Sequence, residues 1–166
     1  GVCKYDGVAF ETFAKERGLA GDSVYAIAED KRGNLWFGTD SGVSSFNGRY
    51  FHTFATKENF ESIAVDKQGK IWFGTKTGVS EFDGEKFIRK FVYTRVEDIL
   101  EDSEGDLWFA TYGPGHHGVY RYDSDTLTLS NLSTTDGLID DDVWKVFEDE
   151  KKRLWFATHS GVSIFE

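Results

Sequence analysis

The histidines and the acidic residues come first. His116 and His117 sit side by side in "TYGPGHHG" (111–118), and His159 stands in "THSG" near the C-terminus. Neutral imidazoles bind zinc or move protons, but two adjacent ligands leave a tetrahedral site incomplete. His159 completes it only if the fold brings the two loops together, so no metal is expected and a polar insertion is the plainer reading. "STTDGLIDDDVW" (133–144) carries Asp136, Asp140, Asp141 and Asp142. Such a run could hold Ca²⁺ with backbone carbonyls. Its spacing does not match the helix-loop-helix calcium motif, and a solvated acidic turn is expected instead. No G-x-S-x-G elbow, H-E-x-x-H pair or phosphate-cradling glycine loop followed by a helix occurs. Catalytic residues and cofactors are therefore expected to be none.

The bulk properties narrow the partners. A net charge of −10 opposes nucleic acid, and the Lys and Arg residues are scattered. No apolar run reaches the ~20 residues of a membrane span. No signal peptide is apparent in a chain that opens on "GVCKYDG", and Cys3 is alone, which leaves no internal disulfide.

The elements that must position any site come from a repeat. "GNLWFGTDSGVSSFNG" (33–48) returns as "GKIWFGTKTGVSEFDG" (69–84), "GDLWFATYGPGHHGVYRYD" (105–123) and "KRLWFATHSGVSIFE" (152–166). Trp36, Trp72, Trp108 and Trp155 head these copies, at spacings of 36, 36 and 47. Each unit predicts four short strands. The first is "SVYAIAED" (23–30) and its counterparts at 62–66, 96–102 and 143–149. The second is "LWFGT", whose unbroken apolar run suits a strand buried on both faces. The third is "GVSSFNG", and the fourth is typified by "YFHTFA" (50–55).

"DKRGN", "DKQGK", "DSEGD" and "DEKKR" join the first two strands. In the first three, an Asp able to accept backbone N–H bonds and a Gly tolerant of positive φ make hairpin turns. Lys152 replaces the Gly in the last, at a cost of about 1 kcal/mol. Four antiparallel strands per unit, repeated, predict an all-β fold, a β-propeller of about four blades. The repeated aromatics are then inter-blade core. One domain over 1–166 is expected, with units at about 1–22 (partial), 23–59, 60–94, 95–135 and 136–166 (partial).

The third strand occurs once too often, since "GVCKYDG" copies "GVSIFE". This surplus suits a piece of a longer propeller, a ring assembled from two chains, or a four-bladed ring with one displaced strand. For a lone chain, such closure is the favoured expectation.

"EDKRGNLWFGTDSGVSSFNG" resembles the two-component regulator propeller repeat, and the likeness spans nearly the whole chain. That resemblance implies a sensor region outside the cytoplasm, periplasmic or extracellular, attached to a bacterial hybrid histidine kinase. The ligands it implies are carbohydrates or other environmental molecules. A weaker resemblance runs to virginiamycin B lyase-type propellers, whose His and Glu residues do not align on these repeats.

In a propeller, the loops joining strands two and three share one end with those joining strand four to the next unit. Ligand contacts are expected there. The position after the repeated Thr differs in every unit: Asp40, Lys76, Tyr112 and His159. With His116 and His117 these are the ligand-binding candidates. The expected function is non-catalytic ligand sensing or protein binding, with blade-to-blade or homo-oligomer contacts as a further partner. The alternatives are a lyase or hydrolase using loop-borne His and acidic residues, and a purely structural array.

Overall fold

The computed structural model describes residues 1–56, 58–90, 94–114 and 117–165. Seventeen strands form five antiparallel sheets among them. β1 (Val2–Tyr5) and β2 (Phe10–Phe13) form a two-stranded sheet. Three four-stranded sheets follow. The first holds β3 (Val24–Glu29), β4 (Leu35–Thr39), β5 (Gly42–Phe46) and β6 (Phe51–Ala55). The second holds β7 (Phe60–Val65), β8 (Ile71–Thr75), β9 (Gly78–Phe82) and β10 (Phe87–Arg89). The third holds β11 (Arg95–Glu101), β12 (Leu107–Tyr112), β13 (Val119–Asp123) and β14 (Thr128–Leu132). β15 (Val143–Glu148), β16 (Leu154–Thr158) and β17 (Gly161–Phe165) make the last sheet.

Each hairpin turn is built by one carboxylate. Asp30 Oδ1 accepts the N–H groups of Arg32 and Asn34, both at 2.9 Å. Asp66, Asp102 and Asp149 hold their own turns in the same way. The second carboxylate oxygen reaches the tryptophan six residues on. The indoles of Trp36, Trp72, Trp108 and Trp155 donate to Asp30, Asp66, Asp102 and Asp149 at 2.9, 2.9, 2.7 and 2.9 Å. Gly105 takes φ +100° in its turn, and Lys152 adopts φ +63° at the equivalent place, as the turn chemistry requires. A second bond recurs at the other end of each hairpin. The hydroxyls of Thr39, Thr75, Thr111 and Thr158 donate to the carbonyls of Gly42, Gly78, Gly118 and Gly161.

The core lies between sheets. Trp36 meets Phe73 and Phe82 of the next sheet, with ring centroids 6.0 and 5.1 Å apart. Trp72 meets Phe109 and Tyr122, and Trp108 meets Phe156 and Phe165. The inter-blade role expected for the aromatics is what the fold uses. Close approach explains the small residue after Trp-Phe: a Cβ on Gly74 would stand 2.8 Å from the carbonyl oxygen of Val96. Turn tips are laced across sheets too. Lys67 Nζ donates to the carbonyls of Asp102 and Ser103, and Glu101 accepts the Lys67 N–H.

The single-chain closure favoured from the strand count is not formed among the described residues. β17 occupies the edge of β16 that β1 would need, and β1 pairs only with β2. Phe147, Val162 and Ile164 on the last sheet are exposed in consequence.

Candidate functional site

The first strand of each tryptophan-bearing unit, β3, β7, β11 and β15, carries a β-bulge near its start, at Val24/Ala26, Phe60/Ser62, Val96/Asp98 and Val143/Lys145. A bulge sets two residues against one and re-aims a side chain. The extra residues are Tyr25, Glu61, Glu97 and Trp144. They have no common chemistry, whereas the residues just before them, Val24, Phe60, Val96 and Val143, are apolar and pack into the core. Three of them, joined by Arg95 and Tyr112, form a chain of contacts across three sheets at the loop end.

Arg95 opens β11 and lies opposite Tyr112, the last residue of β12. Its guanidinium stands 5.6 Å from the Tyr112 ring centroid. It pairs with Glu61 of the preceding sheet at 3.4 Å and with Glu97 of its own strand at 2.5 Å. Burial pushes the Glu97 carboxyl above the usual carboxylate range, against the pull of Arg95. Tyr112 stacks on Trp144 of the following sheet, with centroids 4.4 Å apart and planes 30° from parallel. Alongside, Asp98 pairs with Lys145 at 2.9 Å and accepts the Val146 N–H.

The loops add a second layer. Asp142, two residues before Trp144, accepts the N–H of Gly113 on its carboxylate and that of His159 on its carbonyl. Tyr112 and His159 therefore share one corner. Asp40 and Lys76 share another, because the Asn59 side chain lies between them: with its nitrogen turned toward Asp40, the amide donates to the Asp40 carbonyl at 3.2 Å and accepts from Lys76 Nζ at 3.1 Å. The His117 carbonyl accepts from Asn131. His116 lies outside the described residues.

The acidic stretch at 136–142 has structural duties. Asp136 caps a single 3₁₀ turn, accepting the Ser133 N–H at 2.9 Å. Asp141 takes the Thr134 N–H and hydroxyl, and Asp140 takes the Ser160 hydroxyl. The segment before β3 repeats this design: Gly18 and Gly137 close matching 3₁₀ turns, and Asp22 accepts the Lys15 N–H as Asp141 does that of Thr134. Sequence reasoning missed that pairing, although "RGLAGDSV" and "DGLIDDDV" share the pattern G-L-x-x-D-x-V.

It also missed Trp144. The chain has five tryptophans and the repeat accounts for four, so the fifth was the signal. The turn end of the molecule offers a different concavity. A groove of about 850 Å³ lies between the first two four-stranded sheets, over Trp36, Phe54 and Phe82, with Arg32, His52 and Lys70 on its rim. Its counterpart one sheet later is about 210 Å³, where Leu127 from the β13–β14 turn joins the lining.

The model described as two component regulator propeller matches residues 18–41, 55–77, 90–113 and 137–160, more than half of the chain. The chain belongs to the two-component regulator propeller family. Among solved structures, the extracellular domain of a putative one component system from B. thetaiotaomicron is similar at TM-score 0.81 and 19% identity, over 96% of this chain and 23% of that one. The extracellular domain of a putative hybrid two component system from the same organism gives 0.78 and 18%, over 94% and 23%. A catalytically inactive virginiamycin B lyase from Staphylococcus aureus gives 0.64 and 18%, over 87% and 55%. At these identities the likeness carries the fold. The chain spans about a quarter of the length of the two sensor ectodomains. The search of curated proteins found no match. No helix among the described residues is long and apolar enough to cross a membrane.

Proposed function

We propose that this propeller segment is a non-catalytic module for ligand sensing or protein contact, working outside the cytoplasm as part of a sensor ectodomain. The observation that carries the reading is the Tyr112–Trp144 stack at the loop end. Two large aromatic rings from different sheets meet there, in positions the repeat does not need for its core. Rigid sheets hold their backbones, so a ligand meets a preformed surface. Extracellular placement draws on the family and on the sensor ectodomains whose fold it shares. Small environmental molecules, carbohydrates among them, are the ligand classes the family resemblance suggests. The lyase alternative draws only on a shared fold.

A thermal-shift screen of small molecules and glycans tests the placement. The expected result is a compound that raises the melting temperature of the unaltered chain and loses that effect in both Tyr112→Ala and Trp144→Ala. A compound whose effect survives both changes and vanishes in Arg32→Ala would move the site to the turn-end groove.

A further inference from the structure

We infer that the loop-end site selects an organic cation, a ligand with a protonated amine or amidine beside a flat apolar surface. The inference rests on the loop-end reading above and names its ligand class.

The platform is aromatic and open. Trp144 stacks on Tyr112 and remains 39% exposed. The four repeat indoles are each tied to an Asp, whereas Trp144 lies outside that scheme. An indole face is the best of the side-chain surfaces for a cation, because its ring quadrupole presents negative charge. Arg95 already sits near Tyr112 in this manner, so the site tolerates a guanidinium against its rings.

The field has the same preference. Glu61, Glu97 and Asp98 set three carboxylates against two cations, Arg95 and Lys145, in the ion pairs that build the site. Two carboxylates share the single Arg95 guanidinium, and Glu61 is more than nine-tenths buried. One oxygen of Glu61 has no hydrogen-bond donor among the described residues, while the Glu97 oxygen that lacks one faces Arg95 Nε as an ion pair. Buried carboxylate oxygens without donors leave uncompensated negative charge. The chain's net charge of −10 adds long-range attraction for cations and repels anions. A neutral ligand would use the rings but gain nothing from the charge.

The experiment follows the Trp144 indole N–H by NMR while the chain is titrated with benzamidine, its neutral analogue benzamide, and benzoate. The other four indole signals report whether the fold is kept. Benzamidine should move the Trp144 signal with a Kd at least about tenfold below those of the other two. Trp144→Leu, followed by the Tyr112 ring signals, should abolish the preference. Glu97→Gln should weaken benzamidine binding several-fold, and Arg95→Gln should strengthen it. Equal affinities for benzamidine and benzamide, tighter benzoate, or charge variants without effect would overturn the cation class and leave a loop-end site in place. If none of the three probes moves the Trp144 signal, the inference fails. If the glycan screen also leaves that signal still, the loop-end reading falls with it.

Discussion

Asp102 holds Trp108 by accepting its indole N–H at 2.7 Å, with both residues buried. The other carboxylate oxygen ties down the N–H groups of Glu104, Gly105 and Asp106. One side chain thus sets the hairpin turn and aims the ring that the next sheet packs on. Trp108→Phe keeps most of the ring but strands a buried carboxylate oxygen, and should cost about 1–3 kcal/mol. Trp108→Ala should cost about 3–5 kcal/mol. Urea denaturation of both variants checks this; a Phe variant as stable as the parent would mean the bond contributes nothing.

Trp72 and Trp155 occupy equivalent places with different cover. Trp72 is 3% exposed against Phe109 and Tyr122, while Trp155 is half-buried at the outer face of the last sheet. Trp72→Ala should cost about 3–5 kcal/mol and Trp155→Ala distinctly less, because less surface is lost from the core. Equal costs would show that the outer face of the last sheet is covered in solution.

The turn carboxylates make stability pH-dependent. The Trp155 indole bond, opposed by burial and aided by Arg153, holds the Asp149 carboxyl far below its ordinary range. At Asp30, burial is outweighed by the bonds from Trp36 and Asn34, and the shift is again downward. A depressed carboxyl stabilises fully above its unfolded pKa, about 3.9, and that stability fades as pH falls through the folded value. Glu97, raised by burial, works in the opposite sense and is relieved on protonation. The urea midpoint should therefore hold between pH 7 and about 4 and drop below it. In Trp155→Phe the drop should be smaller; an unchanged acid profile would remove Asp149 from the account.

Gly105 and Lys152 invite opposite substitutions. Gly105→Ala forces a Cβ into φ +100° and should destabilise by about 1 kcal/mol. Lys152→Gly relieves φ +63° and should stabilise by up to about 1 kcal/mol, less whatever the exposed Lys152–Glu104 pair contributes. Calorimetry on the two variants should show melting temperatures moving in opposite directions.

Metal dependence is expected to be nil. Asp136, Asp140 and Asp141 already accept from Ser133, Ser160 and Thr134. Thermal melts with and without excess chelator should superimpose. A fall of many degrees in chelator would return the acidic stretch to consideration as a cation site.

The repeat made the propeller legible, because each strand-two tryptophan and each Asp-Gly turn has a local physical purpose. The Asp-to-Trp bond was within reach: the six-residue interval recurs in all four units, yet the Asp was read only as a turn former. The loop-end cluster was harder. Tyr112 stands out by its variation, but Glu61 and Arg95 lie just before the strands expected at 62–66 and 96–102, and only the bulges bring Glu61 and Glu97 to one side with Arg95. A bulge has no residue signature in these strands, so its register shift cannot be seen in the alternation of apolar positions. Asp40 and Lys76 were each singled out, but their junction through Asn59 depends on loops from two sheets.

The bulge also has a consequence for how such a protein diversifies. Because Tyr25, Glu61, Glu97 and Trp144 are supernumerary in their strands, the cross-strand pairing of the residues on either side does not depend on them. Natural variation can therefore rewrite the recognition face one residue at a time without renegotiating the scaffold. A combinatorial library randomised at 25, 61, 97 and 144 should retain a high proportion of folded members, whereas one randomised at 24, 60, 96 and 143 should not.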